Sequence, residues 1–137
     1  MRRRVLLDTG PLVALLDRGD RYHRWARDQF AEIEPPLLTC EAVIAESWYL
    51  LRRFPRGRDA ILDLLSRNLV VIAFDLGAEI AAVRKLAARY ASVPMSLADS
   101  CLVRMSELHS DSSIITLDSD FSVYRRHSRQ IIPLLRP

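Results

Sequence analysis

Short apolar runs alternate along this chain with longer segments in which apolar residues recur at helical spacing. Apolar runs this short, ending at a turn, are typical of buried β-strands. Strands that alternate with helices indicate an α/β fold with a mostly parallel sheet, because a long connection has to carry the chain back between parallel strands. In such sheets, ligands bind beyond the carboxyl ends of the strands.

The predicted strands cover residues 3–7, 37–39, 69–74, 113–117 and 130–134. The first helix is predicted to begin at Pro11, with Asp8 or Thr9 as its cap. Further helices are predicted at residues 22–33, 41–53, 59–66, 78–90 and 96–109.

The chain has 137 residues, of which 50% are hydrophobic, and we expect residues 1–137 to form one domain. Its longest apolar run, residues 69–74, is far shorter than the roughly 20 residues of a membrane-spanning helix. Asp8 interrupts the apolar stretch near the N-terminus, and no small-residue cleavage site follows. We therefore expect a cytoplasmic protein with no membrane partner. Cys40 and Cys101 lack ligand spacing and are expected to be free buried thiols.

The formal net charge is +3, and every cationic side chain except Lys85 is an arginine. Arginine suits bidentate contact with phosphate or carboxylate groups. A net charge this small does not by itself establish a nucleic-acid partner, and solvated helix faces would account for most of these residues.

Two carboxylates follow predicted strands, Asp8 after the first and Asp118 after the fourth. If these strands are neighbours, the two side chains meet at one edge of the sheet. Each could instead simply cap the next helix, since an Asp in this position commonly accepts hydrogen bonds from the first helical amides.

Two further carboxylates lie in apolar helical segments. The helical neighbours of Glu46 are Ala42, Val43, Tyr49 and Leu50, so we expect Glu46 to be buried and to need either an arginine or a cation as partner. Asp99 follows Ser96 at capping-box spacing, and the apolar residues after it predict a position near the interior.

Four carboxylates on separate elements suggest a site for a hard cation such as Mg²⁺ or Mn²⁺. The histidines show no zinc-ligand spacing, and the chain has no phosphate-binding glycine loop and no G-x-S-x-G motif. A site of this kind leaves water as the nucleophile, which favours metal-dependent phosphodiester hydrolysis.

The segments that carry these acids resemble the four acidic motifs of the PIN-domain family, and in particular the small single-domain ribonuclease toxins of the VapC type. The similarity covers essentially the whole chain. Its motifs are Val5-Leu6-Leu7-Asp8-Thr9-Gly10-Pro11-Leu12, Ala45-Glu46, Leu97-Ala98-Asp99-Ser100-Cys101-Leu102-Val103 and Thr116-Leu117-Asp118-Ser119-Asp120-Phe121.

This resemblance implies a PIN-like fold, in which helices flank both faces of a mostly parallel sheet of four or five strands. It also implies a Mg²⁺- or Mn²⁺-dependent endoribonuclease that forms a homodimer and is neutralised by a small cognate antitoxin, whose C-terminal segment occupies the cleft. Asp8, Glu46 and Asp99 would be the principal catalytic and metal-binding carboxylates. Asp118 would be the fourth.

Hydroxyl groups of Thr9 or Thr116 would support the carboxylates, and Asp120 would be a further supporting residue. In the motif Asp118-Ser119-Asp120-Phe121, the resemblance implies that the first acid faces the site and that Asp120 caps the turn. Many relatives have Ser or Asn at the position of Gly10, where this chain offers only a backbone amide.

Arginines that follow the motifs would contact RNA through its phosphates, which gives salt-dependent affinity without sequence information. They are Arg18, Arg21 and Arg24 after the first motif, Arg52, Arg53, Arg56 and Arg58 after the second, and Arg125, Arg126 and Arg129 after the fourth.

Two rival enzyme and receiver classes are disfavoured by the residues present. A haloacid-dehalogenase phosphatase would need a second Asp two residues after Asp8, where this chain has Gly10. A receiver domain would need an acidic pair at the first strand and a lysine late in the sheet, whereas Lys85 lies within a predicted helix. A stand-alone RNA-processing nuclease, or a catalytically silent PIN domain that acts as a binding module, stays compatible with the motifs.

Overall fold

A computed structural model describes residues 3–137. Its central sheet has five parallel strands in the order β3-β2-β1-β4-β7. This confirms the predicted α/β fold with a mostly parallel sheet. The strands are β1 (Val5–Leu7), β2 (Leu37–Thr39), β3 (Val70–Ile72), β4 (Ser113–Ile115) and β7 (Leu134–Leu135).

Six α-helices connect the strands and lie close to the predicted segments. The first starts two residues earlier than Pro11, because Asp8 caps it from the end of β1. The third ends at Leu50, and the fourth begins at Pro55, which is favoured at a first helical position. The helices are α1 (Thr9–Leu16), α2 (His23–Glu32), α3 (Glu41–Leu50), α4 (Pro55–Ser66), α5 (Ile80–Arg89) and α6 (Leu97–Leu108).

The predicted strand at residues 130–134 is wrong as a single element. Its first part, β6 (Gln130–Ile131), pairs in antiparallel fashion with β5 (Arg125–Arg126), while β7 joins the central sheet. Pro133 lies between the two and has no amide hydrogen to continue a ladder, although its carbonyl accepts a hydrogen bond from Ile114 at 2.9 Å.

Alternating side chains of the strands build a core on each face of the sheet. Leu6 and Ile114 pack on one face with residues of α5 and α6, while Leu7 and Ile115 pack on the other face with residues of α1, α2 and α4. Helices therefore flank both faces, as expected.

Cys40 and Cys101 are free, buried thiols of the first core, as predicted. No helix among residues 3–137 is both long enough and apolar enough to cross a membrane.

The register between β1 and β4 determines what lies at the carboxyl edge of the sheet. Leu7 is level with Ile115, and the amide of Asp8 continues the pairing by donating to the Ile115 carbonyl at 3.2 Å. The two strands are thus neighbours, and the residues that follow them emerge at the same edge.

Candidate active site

Asp8 is the most deeply buried of the four predicted carboxylates. It is buried between the end of β1 and the start of α1, where Oδ1 accepts the Thr9 amide at 2.8 Å and Oδ2 accepts the Thr116 hydroxyl at 2.7 Å. Burial raises the pKa of Asp8 to about 7, with smaller contributions from the charges of Asp99 and Asp118, against the lowering effect of the two hydrogen bonds.

Asp99 is held at the start of α6 by the predicted capping box. Its amide donates to Ser96 Oγ at 3.0 Å, and its Oδ2 accepts the Ser96 amide at 3.3 Å. The same Oδ2 accepts the hydroxyl of Tyr124 at 3.0 Å. Burial raises the pKa of Asp99, and the charge of Asp118 adds to this effect. The capping box therefore uses only one of the two carboxylate oxygens of Asp99, and it does not explain why Asp99 is buried.

Asp118 caps a short 3₁₀ helix (Ser119–Ser122) through a hydrogen bond from the Asp120 amide to its Oδ1 at 2.9 Å. The expectation that Asp120 caps this turn is therefore wrong. An Asx-type bond reaches the amide two residues ahead, so the first acid of the motif, and not the second, closes the turn. The charge of Asp120 acts on Tyr124, whereas the charges that raise the pKa values of the other site acids are those of Asp99 and Asp118.

Glu46 lies on the exposed side of α3, so the prediction that it is buried in an apolar helix is wrong. Only Val43 and Ser47, one turn apart, are buried in this helix, and the apolar side chains of its last turn lie at the surface. Partial desolvation and the charges of Asp99 and Asp118 nevertheless raise the pKa of Glu46. The four predicted carboxylates thus share one electrostatic field.

Two threonines accompany the acids. Thr116 is fully buried and bridges two motifs, because its hydroxyl donates to Asp8 and accepts the amide of Asp118 at 2.9 Å. Thr9 is also buried, and its Oγ1 is one of two buried side-chain polar atoms, with Arg126 Nε, that lack a hydrogen-bond partner in the described part of the chain. Such an orphaned oxygen is uncommon in a folded protein.

Gly10 packs tightly behind this site. A Cβ at this position would lie 3.1 Å from Cβ of Leu117 and 3.2 Å from two other atoms of that side chain. Contacts this close would force Leu117 to move, and Leu117 is the residue between Thr116 and Asp118. A side chain at position 10 would therefore require Leu117, a residue of the fourth motif, to shift by a few tenths of an ångström.

No basic side chain neutralises the acids within residues 3–137. The ion pairs of this region involve Arg4, Arg67 and Arg104, and none of them includes Asp8, Glu46, Asp99 or Asp118. The arginine partner considered for Glu46 is thus not found among the described residues. Equally, no three His, Cys, Asp or Glu side chains in this part of the chain are arranged closely enough to hold one metal ion.

The predicted RNA-contacting arginines separate into two groups. Arg18 and Arg53 line an open groove of about 1450 Å³ between the end of α1 and the start of α4, together with Arg27 and Arg56. Arg21, Arg24 and Arg52 do not line it. Arg21 lies over the Tyr22 ring at 5.3 Å, Arg24 is exposed on α2, and Arg52 lies over the Tyr49 ring at 4.2 Å.

Arg126 cannot contact RNA as expected. It is buried, and its guanidinium donates to the carbonyls of Ser110 and Ser112 at 2.8 and 2.9 Å, which ties β5 to the turn before β4. Arg125 also bonds locally, to carbonyls of residues 122–124.

Sequence reasoning missed Tyr124, the donor to Asp99. Nothing in the chain pairs the two residues in advance, since they lie 25 positions apart and meet only through the packing of the 3₁₀ helix against α6. Burial and the charge of Asp99 raise the pKa of Tyr124, so that its hydroxyl keeps its proton and remains a donor.

Comparison with known proteins adds to this geometry. The PIN domain family model matches residues 5–126. The crystal structure of VapC20 from Mycobacterium tuberculosis, described as a sarcin-ricin loop cleaving toxin, has a TM-score of 0.78 with this chain at 21% sequence identity, over 87% of this chain and 93% of that one. At this identity the similarity shows a shared fold. No curated protein matches the chain significantly in sequence.

The raised pKa of Asp8 predicts a pH-dependent stability. The folded state holds the Asp8 proton up to about pH 7, whereas the unfolded chain releases it near the ordinary value of 3.8. The contribution of Asp8 to the free energy of unfolding is therefore fully present below pH 4 and is lost as the pH rises through 7. In metal-free buffer, the free energy of unfolding of the wild type should therefore fall relative to that of Asp8→Asn by up to about 4 kcal/mol between pH 4 and 8.

Urea unfolding at several pH values in EDTA measures this difference. Asp59→Asn, on the exposed side of α4, controls for the loss of one carboxylate and should run parallel to the wild type. Parallel curves for wild type and Asp8→Asn would contradict the expectation.

Proposed function

The chain belongs to the PIN-domain family, and from this premise we propose that it is a metal-dependent endoribonuclease that hydrolyses RNA phosphodiester bonds. The observation that carries the proposal is the set of four carboxylates, Asp8, Glu46, Asp99 and Asp118, which share one field at the carboxyl edge of the sheet without a basic partner among the described residues. Carboxylates that lie close together without a basic partner destabilise the folded state, so a structural role alone does not explain why the chain has them.

The donor set fits Mg²⁺ or Mn²⁺. Every candidate ligand is an oxygen, supplied by the four carboxylates and supported by the hydroxyls of Thr9 and Thr116, and the Thr9 hydroxyl is buried without a partner. Hard cations of this type prefer oxygen ligands and retain several waters. Because no three His, Cys, Asp or Glu side chains of the described residues already converge on one point, a cation here would be held partly through water or after rotation of a carboxylate.

A bound Mg²⁺ or Mn²⁺ would supply an activated water and stabilise charge that develops on the phosphate. The chain's own residues prepare the site for it. Thr116 fixes the orientation of Asp8, and the capping box fixes Asp99. Protons compete with the cation for Asp8, since the pKa of this group is about 7, so the activity should increase with pH in the neutral range.

Cleavage of a set of structured RNAs tests the enzymatic assignment. The wild type should cut in Mg²⁺ or Mn²⁺ and lose activity in EDTA, and Asp99→Asn should cut about a hundredfold more slowly or worse, because it removes a negative charge from the reacting centre. Asp59→Asn serves as the control and should retain full activity. Equal activity of wild type and Asp99→Asn would reject the assignment, and no cleavage with either metal would favour the silent binding module.

The arginine groove supports an RNA substrate. Arg18, Arg27, Arg53 and Arg56 line one side of the molecule at the end of α1, whose start carries Asp8. Arginine side chains that line a groove attract the phosphate backbone regardless of base sequence. A near-neutral net charge is compatible with this arrangement, because four carboxylates lie in the candidate site and Asp17 is the one acid among the described residues that lines the groove.

The groove predicts a salt-dependent contribution to binding. Arg18→Ala with Arg53→Ala, made in the inactive Asp99→Asn background, should weaken binding of single-stranded RNAs of any sequence. The slope of log K against log salt should decrease by about 0.7 for each phosphate that the arginines no longer neutralise. Fluorescence anisotropy across a salt series measures both. Arg67→Ala, at the other end of α4 and paired with Asp63, is the control, and a slope change as large in this variant would exclude a specific role for the groove.

We further propose that the protein acts in the cytoplasm as the toxin of a toxin-antitoxin pair, neutralised by a small cognate antitoxin. The shared fold with VapC20, a toxin, supports this role, as does the family membership. A stand-alone RNA-processing nuclease would have the same chemistry and would differ in its partner. An adjacent short open reading frame that encodes a DNA-binding protein distinguishes the two.

The surface of α3 supports the proposed homodimer. Four large apolar side chains within seven residues are exposed at the surface, namely Trp48, Tyr49, Leu50 and Phe54, with Tyr49 59% exposed. Several exposed large apolar side chains in one segment are a feature of protein interfaces. Aromatic residues and arginine are enriched in interfaces, and Arg52 and Arg58 lie over the rings of Tyr49 and Trp48.

Substitution in this surface should dissociate the dimer. Tyr49→Asp would bury an unpaired charge in the interface, and we expect the dimer to weaken by about tenfold or more. Sedimentation measurements over a concentration series test this. Ile131→Asp is the control, since Ile131 is 72% exposed but lies on β6. A monomeric wild type, or equal effects of both substitutions, would contradict the proposal.

A further inference from the structure

Tyr124 combines full burial with a hydrogen bond to a carboxylate of the candidate site. Its hydroxyl donates to Asp99 Oδ2 at 3.0 Å, and its side chain is completely inaccessible to solvent. The ring lies edge-on to two others, Phe121 at 5.2 Å and Tyr90 at 5.0 Å between centroids. Such aromatic packing restricts the ring to one orientation and therefore fixes the position of the hydroxyl.

The main chain around Tyr124 is anchored on both sides. Its amide donates to the Asp120 carbonyl at 3.3 Å, which ties the backbone of Tyr124 to the short 3₁₀ helix that Asp118 caps. The next amide, that of Arg125, donates to the hydroxyl of Tyr90 at 2.9 Å. The 3₁₀ helix that Asp118 caps therefore positions the Tyr124 hydroxyl, which contacts Asp99.

Asp99 depends on such a contact for its orientation. The terminal torsion of an aspartate has broad, poorly separated minima, so the backbone alone does not determine where its two oxygens point. Here the Ser96 amide at 3.3 Å and the Tyr124 hydroxyl at 3.0 Å both bind Oδ2. The longer bond, from the backbone, is the weaker of the two, and the hydroxyl contributes the closer donor.

We propose that Tyr124 is a positioning residue, which holds Oδ2 of Asp99 and thereby keeps Oδ1 available to a divalent cation. This inference rests on the proposed metal-dependent function. Tyr124 lies after the fourth acidic motif and belongs to none of the four. Groups that orient a ligand carboxylate in this way are commonly worth about 10- to 100-fold in metal affinity or activity.

Direct titration with Mn²⁺ tests the proposal without substrate. Free Mn²⁺ is followed by electron paramagnetic resonance in the full-length wild type, Tyr124→Phe and Tyr90→Phe. Tyr124→Phe keeps the packed ring and removes only the donor, and we expect it to bind Mn²⁺ about tenfold more weakly or worse. Tyr90→Phe removes a hydroxyl from the same aromatic cluster that contacts the Arg125 amide and no carboxylate, and its Mn²⁺ affinity should equal that of the wild type.

Thermal melting separates positioning from stability. Each variant loses one hydrogen bond, which is buried for Tyr124 and partly buried for Tyr90, so both melting temperatures should fall. All titrations are made well below these temperatures. In RNA cleavage, Tyr124→Phe should need more Mn²⁺ for half-maximal activity while its KM for RNA stays at the wild-type value. A role confined to folding would move the melting temperature alone.

The outcomes distinguish this inference from the proposed function. If the wild type binds Mn²⁺ and Tyr124→Phe binds it equally well, the positioning role is wrong and the metal site stands. If Tyr90→Phe weakens binding as much as Tyr124→Phe does, the effect belongs to the aromatic cluster and not to the Asp99 contact, and the inference is again wrong. A wild type that binds no Mn²⁺ overturns the metal site and the inference with it.

Discussion

The hydrogen bond from the Thr116 hydroxyl to Asp8 is the contact on which the arrangement of the candidate site depends. It joins the ends of β1 and β4, which the register places side by side, and the same hydroxyl accepts the amide of Asp118. One buried oxygen therefore connects the first acidic motif to the fourth. From Asp118 the connection continues through the 3₁₀ helix to Tyr124, and from there to Asp99.

This network keeps negative charges together at the expense of stability. Burial and mutual repulsion raise the pKa values of Asp8, Glu46 and Asp99, which means that their ionised forms are unfavourable in the folded chain. Apolar cores on both faces of the sheet stabilise the fold against this repulsion. Conflict between local electrostatics and stability is typical of functional sites, where a ligand relieves it.

The sequence predicts the central sheet well, because each strand is a short apolar run and the helices between them have clear spacing. It fails at the β5–β6 hairpin, whose turn contains His127 and Ser128 at φ values of 51° and 68°. Glycine or asparagine usually marks such a turn, and this chain has neither there. The predicted position of Glu46 is also wrong, since an apolar helix predicts burial and cannot indicate that one apolar side remains at the surface. Tyr124 could not be found, because its partner is 25 residues away and only tertiary packing brings them together.

The separation between the acids and the arginine groove explains how a chain with a net charge of only +3 could bind a polyanion and still keep an acidic centre. Helix α1 begins at the Asp8 cap and ends beside the groove, and its eight residues span about 12 Å. Salt at physiological concentration screens exposed charges beyond about 8 Å. Under the proposed function, the arginines of the groove would act on one stretch of an RNA strand with little interference from the carboxylates. The two buried carboxylates, Asp8 and Asp99, would act on a phosphate at the candidate site. The carboxylates of the site and the arginines of the groove would partly neutralise each other if they were interspersed. Helix α1 instead separates the two groups of charges by more than the screening length.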